Sequence, residues 1–428
     1  MILLRVYDIA VVGAGAAGSM AAIRAGLHKK NVVLVERNSS IGRKILLTGK
    51  ERCNLTNIAS IDTFIDAFGR QGNFLRSAFS RFFNHDLIDF FDSRGLKMRI
   101  ERQGRVFPAT ERACSVVEVL RKSLLENKVK LLFSMRLAGI KDKNGFFQLD
   151  MENGDKIYAK KVIFATGGAS FRITGSSGDG FNIARKLGHT IVPLKPALVP
   201  LKTREPWVKR LQGLSLRNIR VTFSARTGLK PGRKDGGKKI TSGVGEIVFT
   251  HFGVSGPLVL DLSGRIVSML DECAEVTLLI DLKPALEMER LESRLLREFG
   301  ENKNAKLKNV MKNLLPHRLI PVFLGIAGIV PEKNANQISR QERRAILVLL
   351  KALPLTVVGS LSLEEAMVTN GGISTKEIDP RTMESRILPG LYFAGEIIDG
   401  CASSGGYNLQ QAFSTGYLAG EAASACAG

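Results

Sequence analysis

No stretch of this chain is apolar for long enough to cross a bilayer. The longest candidate, Leu319 to Val330, is broken by Pro321, Gly325 and Gly328, whereas a spanning helix needs about 20 apolar residues in succession. The N-terminus enters a strand-like run at once and lacks the basic segment, apolar core and cleavage site of a secretory signal. Cysteine is scarce: Cys53, Cys114, Cys273, Cys401 and Cys426 are odd in number and none belongs to a CxxC pair. That excludes a disulfide scaffold and a structural zinc site, leaves no metal as an expectation, and points to a reduced, cytoplasmic protein. Acids are short as well. Their 40 carboxylates face 62 lysines and arginines, a net charge of +22, which biases partners towards nucleic acid, an anionic membrane surface or acidic small molecules. The plainer alternative is a solvated basic surface. No internal repeat is evident, and 428 residues at 44% apolar content suffice for two or three domains with real cores.

What is present is concentrated first between Val6 and Glu36. Ile9-Ala10-Val11-Val12 is short and branched, suited to a buried strand, and passes directly into Gly13-Ala14-Gly15-Ala16-Ala17-Gly18. Ala16 to Leu27 reads as a helix, and Val32-Val33-Leu34-Val35 as a second strand ending in Glu36. The glycines therefore sit in the first turn of a βαβ unit. Gly13 permits the tight turn, Gly15 keeps side chains off a pyrophosphate, and Gly18 lets the helix lie close to the strands. The pyrophosphate would rest on the helix N-terminus, where unpaired N–H groups and the dipole favour negative charge. Glu36, 23 positions after Gly13, stands where a carboxylate accepts both hydroxyls of an adenosine ribose and repels a 2′-phosphate, so FAD or NAD is expected rather than NADP.

Ile41 to Asn57 brings Arg43, Lys44, Lys50 and Arg52 together with Thr48, Asn54, Thr56 and Asn57. The segment is too irregular for one helix and reads as a loop lining a phosphate and a polar ring, or else as a solvated basic loop. Between about Asp62 and Gly95, Phe64, Phe68, Phe79, Phe82, Phe83, Leu87, Phe90 and Phe91 recur at helical spacing, which predicts core rather than an aromatic ligand box. A helix near Ser115 to Asn127 follows. Val129 to Phe133, Phe146 to Met151 and Lys156 to Tyr158 suggest an antiparallel excursion from the parallel sheet. Lys161 to Phe164 then returns as a strand into Ala165-Thr166-Gly167-Gly168, small residues that let backbone approach the adenosine half of a flavin. The glycine- and hydroxyl-rich Thr174 to Phe181 leads into a helix, for which Asp179 is the expected N-cap, a catalytic acid being the alternative.

Pro193, Pro196 and Pro200 mark a change to short strand candidates that run to about Leu282. Between Lys202 and Lys239 stand twelve cations (Lys202, Arg204, Lys209, Arg210, Arg217, Arg220, Arg226, Lys230, Arg233, Lys234, Lys238, Lys239) and two acids, Glu205 and Asp235. Charge gathered this tightly argues for an anionic partner over an evenly solvated surface. His251, among glycines and turn residues, is a candidate acid, base or hydrogen-bond donor, or a structural histidine. Pro284 to Pro316 and Ser339 to Leu353 read as charged helices of a small helical unit. Leu391 to Glu396 is again a strand running into glycine and acid, and Gly405-Gly406-Tyr407-Asn408-Leu409 opens a final helix whose N-terminus would stabilise negative charge on a reduced flavin. Glu396 or Asp399 is placed to hold a ribityl chain or a magnesium ion.

Together these segments resemble the YhiN/BaiN-type family of FAD-dependent oxidoreductases. The resemblance rests on Gly13 to Gly18 with Glu36, the Gly42-Arg43-Lys44 to Arg52-Cys53-Asn54-Leu55-Thr56-Asn57 loop, Gly104 to Pro108, Ala165 to Gly168, Thr250 to Pro257, Thr369 to Ile373 and Gly405 to Gln410. It implies an α/β chain: a Rossmann-like FAD-binding domain built from both chain ends, with an inserted β-barrel and a small helical domain. The expected division is residues 1–190 and 363–428 for the FAD domain, 191–282 with about 354–362 for the barrel, and 283–353 for the helical part. It further implies non-covalent FAD at Gly13, Gly15, Ala16, Ala17, Gly18, Glu36, Arg37, Arg43, Lys44, Thr48, Asn54, Ala165, Thr166, Gly167, Gly395, Glu396, Gly406, Asn408 and Leu409. Two departures stand near the flavin: Glu51 where the family usually has glycine, and Gly400-Cys401-Ala402 in place of a stretch that usually carries an acid. Cys401 is then a thiol beside the ring or an inert small residue, the latter preferred because reactivity needs a lowered pKa.

No second strand–glycine–helix–acid unit exists for a nicotinamide cofactor, so reduction is expected from NADH or NADPH binding transiently at the flavin face, or else from another donor. The candidate catalytic residues are His251, Tyr407 and Asn408. Three activities fit: a reductase acting on RNA, a small-molecule enone reductase or amine oxidase, and a flavin-bearing RNA-binding protein without turnover. The first joins two features. A reduced flavin delivers hydride to an electron-poor double bond such as the 5,6 bond of uracil, and the cations of the insertion suit many phosphates. RNA is therefore the expected partner, with Lys209, Arg210, Arg217, Arg220, Arg233, Lys234, Lys238 and Lys239 as its contacts, and dihydrouridine the expected product.

Overall fold

The computed structural model describes residues 6–225 and 238–425. They divide into two compact units, one running to Ala197 and resuming at Ser362, the other spanning Leu198–Leu361.

The first unit is built on strand β1, Val6–Val12. From Ile9 onward its side chains are all buried, as suits a strand with parallel neighbours on both edges. Helix α1, Ala16–Leu27, returns the chain to strand β2, Val32–Val35. A five-residue helix α2, Arg43–Leu47, forms where the sequence suggested only loop. The long strand β3, Lys156–Phe164, is the hub of the sheet. One edge pairs with β1 in parallel, while the other takes Phe147–Met151 antiparallel along its first half and strand β4, Leu391–Phe393, in parallel along its second. Two readings need correction here. Lys130–Leu132 is not part of the antiparallel excursion but pairs with β2 in parallel, and the excursion's outer strand is Leu137–Asp142, which the sequence did not mark. Lys156 to Tyr158 and Lys161 to Phe164 are one strand, because its first half borders the hairpin and its second half the returning chain end.

Helix α3, Asp179–Lys186, and the final helix α4, Tyr407–Ser424, complete this framework. Helices α4 and α1 cross at near contact. A Cβ on Gly416 would lie 2.2 Å from the carbonyl oxygen of Ala17, and one on Gly420 2.5 Å from that of Ala21. Glycines four apart on one face are what permit this approach. The aromatic segment forms helices at Ile61–Phe68, Gly72–Arg81 and Asn84–Asp92. Phe64, Phe68, Leu75 and Phe79 make a satellite core with Ala402, against which Tyr407 packs.

Ile191–Ala197, assigned from the sequence to the insertion, pairs antiparallel with Val368–Ile373 and belongs to the first unit. In the second unit, antiparallel pairing runs from Ser215–Ser224 through Gly245–Phe249, Gly253–Ser255, Leu201–Thr203 and Leu353–Ser360 to Val276–Asp281, which pairs back on Ser215–Ser224. The sheet thus closes on itself as a barrel. The helices Met288–Glu301, Ile320–Ala327 and Arg340–Lys351 share one continuous apolar core with these strands rather than forming a separate body. Among the described residues no helix is long and apolar enough to cross a membrane.

Candidate functional site

The turn between β1 and α1 separates the three glycines by what surrounds them. Gly13 has φ +100, and a Cβ there would meet the Ala165 carbonyl oxygen at 2.4 Å; one on Gly18 would meet the Gly13 oxygen at 1.8 Å. Those two glycines are packing requirements. At Gly15 a Cβ would meet nothing within 4 Å, so the N-terminus of α1 opens on empty space, next to N–H groups that have no partner inside the helix.

Glu36, at the end of β2, is buried and its carboxylate is held from three directions. Ala14 N–H donates to Oε2 at 2.7 Å, and Asn38 donates to Oε1 from its backbone at 2.9 Å and its side chain at 2.7 Å. An ionised carboxylate has about four lone-pair positions, so the pinned group keeps acceptor capacity for a diol. Arg37 turns instead to the 175–179 segment, and Arg43 donates to Asn38 Oδ1 at 3.0 Å. Asp179 is not the N-cap of α3, a position held by Gly178. Its carboxylate is drawn into a bidentate pair with Arg136, at 2.7 and 2.9 Å.

Lys44 and Glu396 form the next element. Lys44 Nζ lies 2.8 Å from Glu396 Oε2 and 2.9 Å from the buried Ser170 hydroxyl, while Glu396 Oε1 accepts the Thr369 N–H at 2.8 Å. A cation therefore already occupies the place the sequence offered to magnesium. Gly395 has φ +79 and packs beside Ala17, its N–H donating to Thr415 Oγ1. Ala165 is buried under the glycine turn, Gly167 takes φ +74, and beside them the buried Thr166 Oγ1 has no partner among the described residues. The Thr48 hydroxyl closes on the Ile45 carbonyl at 2.7 Å.

At the start of α4, Gly406 has φ +98 and sits so close to Thr56 that a Cβ would be 2.3 Å from its oxygen. The Asn54 amide, in the orientation that satisfies both ends, accepts the Gly406 N–H and donates to the Thr56 carbonyl, each at 3.1 Å. Asn408 is fully committed: Oδ1 accepts the Ala402 N–H at 2.9 Å, and Nδ2 donates to Ala402 O and Ser403 O. That contradicts a catalytic role for its side chain and makes it the brace of the loop before α4. Tyr407 sets its ring edge against Phe64, centroids 4.6 Å apart, and Leu409 is half-buried.

The two departures are visible here. Glu51 has φ +67, between Lys50 at +57 and Cys53 at +61, which explains a glycine preference at that position, because a left-handed residue with a Cβ costs about 1–2 kcal/mol. Burial, with Glu396 and Asp399 nearby, pushes the Cys401 thiol up to about 12, so it is un-ionised at neutral pH. Asp399 is buried with Gln71 donating to it, and burial raises its carboxyl above the usual range.

The second unit carries the remaining candidates. His251 is exposed on the turn between two barrel strands, its ring against Phe252. Lys209, Arg210, Arg217, Arg220, Lys238 and Lys239 are all exposed. Lys238 pairs with Glu272 and Arg217 with Glu246, whereas Lys209, Arg210, Arg220 and Lys239 have no ion pair among the described residues. Arg233 and Lys234 lie outside the described residues.

A family model, described as HI0933-like protein Rossmann domain, matches residues 7–422. The chain belongs to this family. YhiN/BaiN-type relatives match along nearly the whole length. One is a 3-dehydro-bile acid delta(4,6)-reductase of Clostridium scindens, 33% identical over 97% of this chain and 98% of that protein. Another is a ribosomal RNA dihydrouridine synthase of Escherichia coli, 31% identical over 96% of each. Among solved structures the fold is shared with a flavocytochrome c3 fumarate reductase (TM-score 0.53, 15% identity, 98% of this chain and 78% of that one). It is also shared with the 3-ketosteroid delta1-dehydrogenase of Sterolibacterium denitrificans (TM-score 0.50, 13% identity, 98% and 99%). This YhiN/BaiN-type protein is an FAD-dependent oxidoreductase, and its residues fit that cofactor: the space at Gly15 would take a pyrophosphate, the pinned Glu36 would take a ribose, and the Thr166 hydroxyl has no partner among the described residues. The sequence missed Ser170, Thr369 and Arg136 as site residues because their partners lie in other segments, and it missed Asn38 although its place two residues after Glu36 carried a local cue.

Proposed function

We propose that this oxidoreductase is a reductase that adds two hydrogens to a C=C bond conjugated with a carbonyl, and that its favoured substrate is uridine in structured, ribosomal RNA, giving dihydrouridine. The names of the two kinds of relative share one chemistry, saturation of a ring double bond near a carbonyl. Bound FAD supplies the hydride, and NADH or NADPH, binding transiently, restores its electrons. The double bond takes that hydride on one carbon and a proton on the other.

The observation that carries the RNA reading is the basic barrel. Lys209, Arg210, Arg220 and Lys239 are exposed without ion pairs among the described residues, and the exposed pairs of Arg217 and Lys238 are weak enough to exchange for phosphate. A small acid needs one or two cations in a pocket, whereas this array suits a polyanion. Binding should weaken with a log–log salt slope of roughly −0.7 per phosphate neutralised on single strands. Reversing Lys209, Arg210, Arg217 and Arg220 should flatten it. The base must leave its stack at a cost of a few kcal/mol, so loops are preferred to duplex. Mass spectrometry of RNA from cells with the gene deleted and restored decides: loss of dihydrouridine on deletion is expected. An unchanged RNA would favour the second reading, a small-molecule enone reductase, which the 33% identity to the bile acid enzyme supports. That reading is tested by reoxidation of the reduced flavin with 3-oxo-Δ4 steroids.

A further inference from the structure

The segment from Thr174 to Gly178 runs across the end of β2, and little beyond side chains holds it there. Its backbone bonds are local: Thr174 N–H to Phe171 O at 2.9 Å, Gly175 N–H to Arg172 O at 3.0 Å, and Ser177 N–H to Gly175 O at 3.0 Å. Its attachment to the ribose acid comes from the two residues that follow Glu36. Asn38, while donating to Glu36, also donates from Nδ2 to Thr174 O at 3.1 Å. Gly175, at φ +98, rests on that amide so closely that a Cβ would be 2.6 Å from Nδ2. Arg37 Nη1 donates to Gly175 O at 3.1 Å, to the Ser177 hydroxyl, and to Asp179 Oδ2 at 3.1 Å.

Asp179 is the point where these bonds converge. Its carboxylate bridges Arg37 and Arg136, and Arg136 is itself anchored by Glu152, Nη1 to Oε1 at 2.9 Å. We propose that Thr174–Gly178 is a clasp over the adenosine half of FAD and that Asp179 is the positioning residue that latches it to the end of β2. This rests on the assignment of Glu36 to the adenosine ribose. The Arg136 hydrogen bond, first among several, holds the Asp179 carboxyl below the usual carboxylate range, so the latch stays charged at neutral pH. Charge-assisted bidentate bonds are about twice as strong as neutral ones. Opening the clasp would take the Thr174 carbonyl from Asn38, leaving its side chain to Glu36 and Arg43.

The test compares two flavins that differ only in the adenosine half. The full-length chain, stripped of flavin, is titrated with FAD and with FMN, and FAD release from the holoprotein is timed on dilution. Asp179→Asn should weaken FAD about tenfold and speed its release, while FMN affinity stays within error. Asp179→Glu should restore part of the FAD affinity. If Asp179→Asn fails to fold, Arg136→Gln opens the same latch from the other side and should give the same FAD-selective loss. Equal weakening of FAD and FMN, or no weakening of either, would overturn the clasp. A wild-type chain that holds FMN as tightly as FAD would overturn it together with the ribose assignment.

Discussion

Lys44 Nζ lies 2.8 Å from Glu396 Oε2, an ion pair between residues 352 positions apart that stitches helix α2 to the closing segment of the chain. The side chains are 27% and 19% exposed, so the pair is shielded but not dry. Lys44→Met would leave Glu396 with only the neutral donors Ser170 and Thr369. Breaking a well-buried pair costs about 3–5 kcal/mol and an exposed one less than about 1. We expect about 1–3 kcal/mol here, read as a lowered melting temperature of the holoprotein. An unchanged melting temperature would contradict the role given to the pair.

Glu36→Ala should loosen FAD more than its lost ribose contacts alone imply, because the Ala14 and Asn38 donors lose their acceptor as well. Each charge-assisted bond contributes about 1.5–3 kcal/mol, so at least a tenfold loss of affinity is expected. Flavin retained through gel filtration of the dilute mutant, as in wild type, is the contrary result.

His189 predicts a pH dependence of stability. It is 2% exposed, its Nε2 meets the Ser385 hydroxyl at 2.8 Å, and desolvation holds its imidazole below the ordinary value of 6.5. The unfolded chain therefore takes up a proton before the folded one does, so stability is full above about pH 6.5 and falls as pH drops towards the folded value. Denaturant titrations between pH 7.5 and 5.5 should show this decline, and His189→Leu should flatten it, whatever it does to stability at pH 7.5. An equal slope in the mutant would assign the effect elsewhere.

Cys401 should resist modification. With its thiol pushed up to about 12, iodoacetamide at pH 7.5 should leave it unlabelled in the native protein while labelling it after denaturation. Cys401→Ser should then retain bound flavin as the wild type does. Rapid native labelling would show a thiolate where burial and two nearby carboxylates argue for none.

How far the site could be read in advance depended on distance along the chain. The glycine turn was legible because everything that explains it falls between Val6 and Glu36: a buried strand, a helix that must approach it, and an acid at the next strand's tip. Asp179 was misread because its partners Arg136 and Arg37 come from other segments, and local rules see only a carboxylate before a helix. Asn408 looked like a polar group offered to substrate, but both ends of its amide are consumed by Ala402 and Ser403, a consequence of how the preceding loop folds back. The strand Ile191–Ala197 was placed in the wrong unit because its prolines announce a boundary without saying on which side the pairing falls.

The residues by themselves determined the βαβ opening, the return of the chain end to the same sheet and the basic character of the insertion, since periodicity, glycine placement and charge are properties of sequence. Only the tertiary structure decided between Glu396 and Asp399. In the chain they are two carboxylates three positions apart, equally suited to a cation or a ribityl chain. In the fold Glu396 meets Lys44, Ser170 and the Thr369 N–H, whereas Asp399 is buried against Gln71 with its carboxyl raised above the usual range. Identical chemistry took different environments because the partners are supplied by segments hundreds of residues away, and no local pattern encodes which of two neighbours will face them.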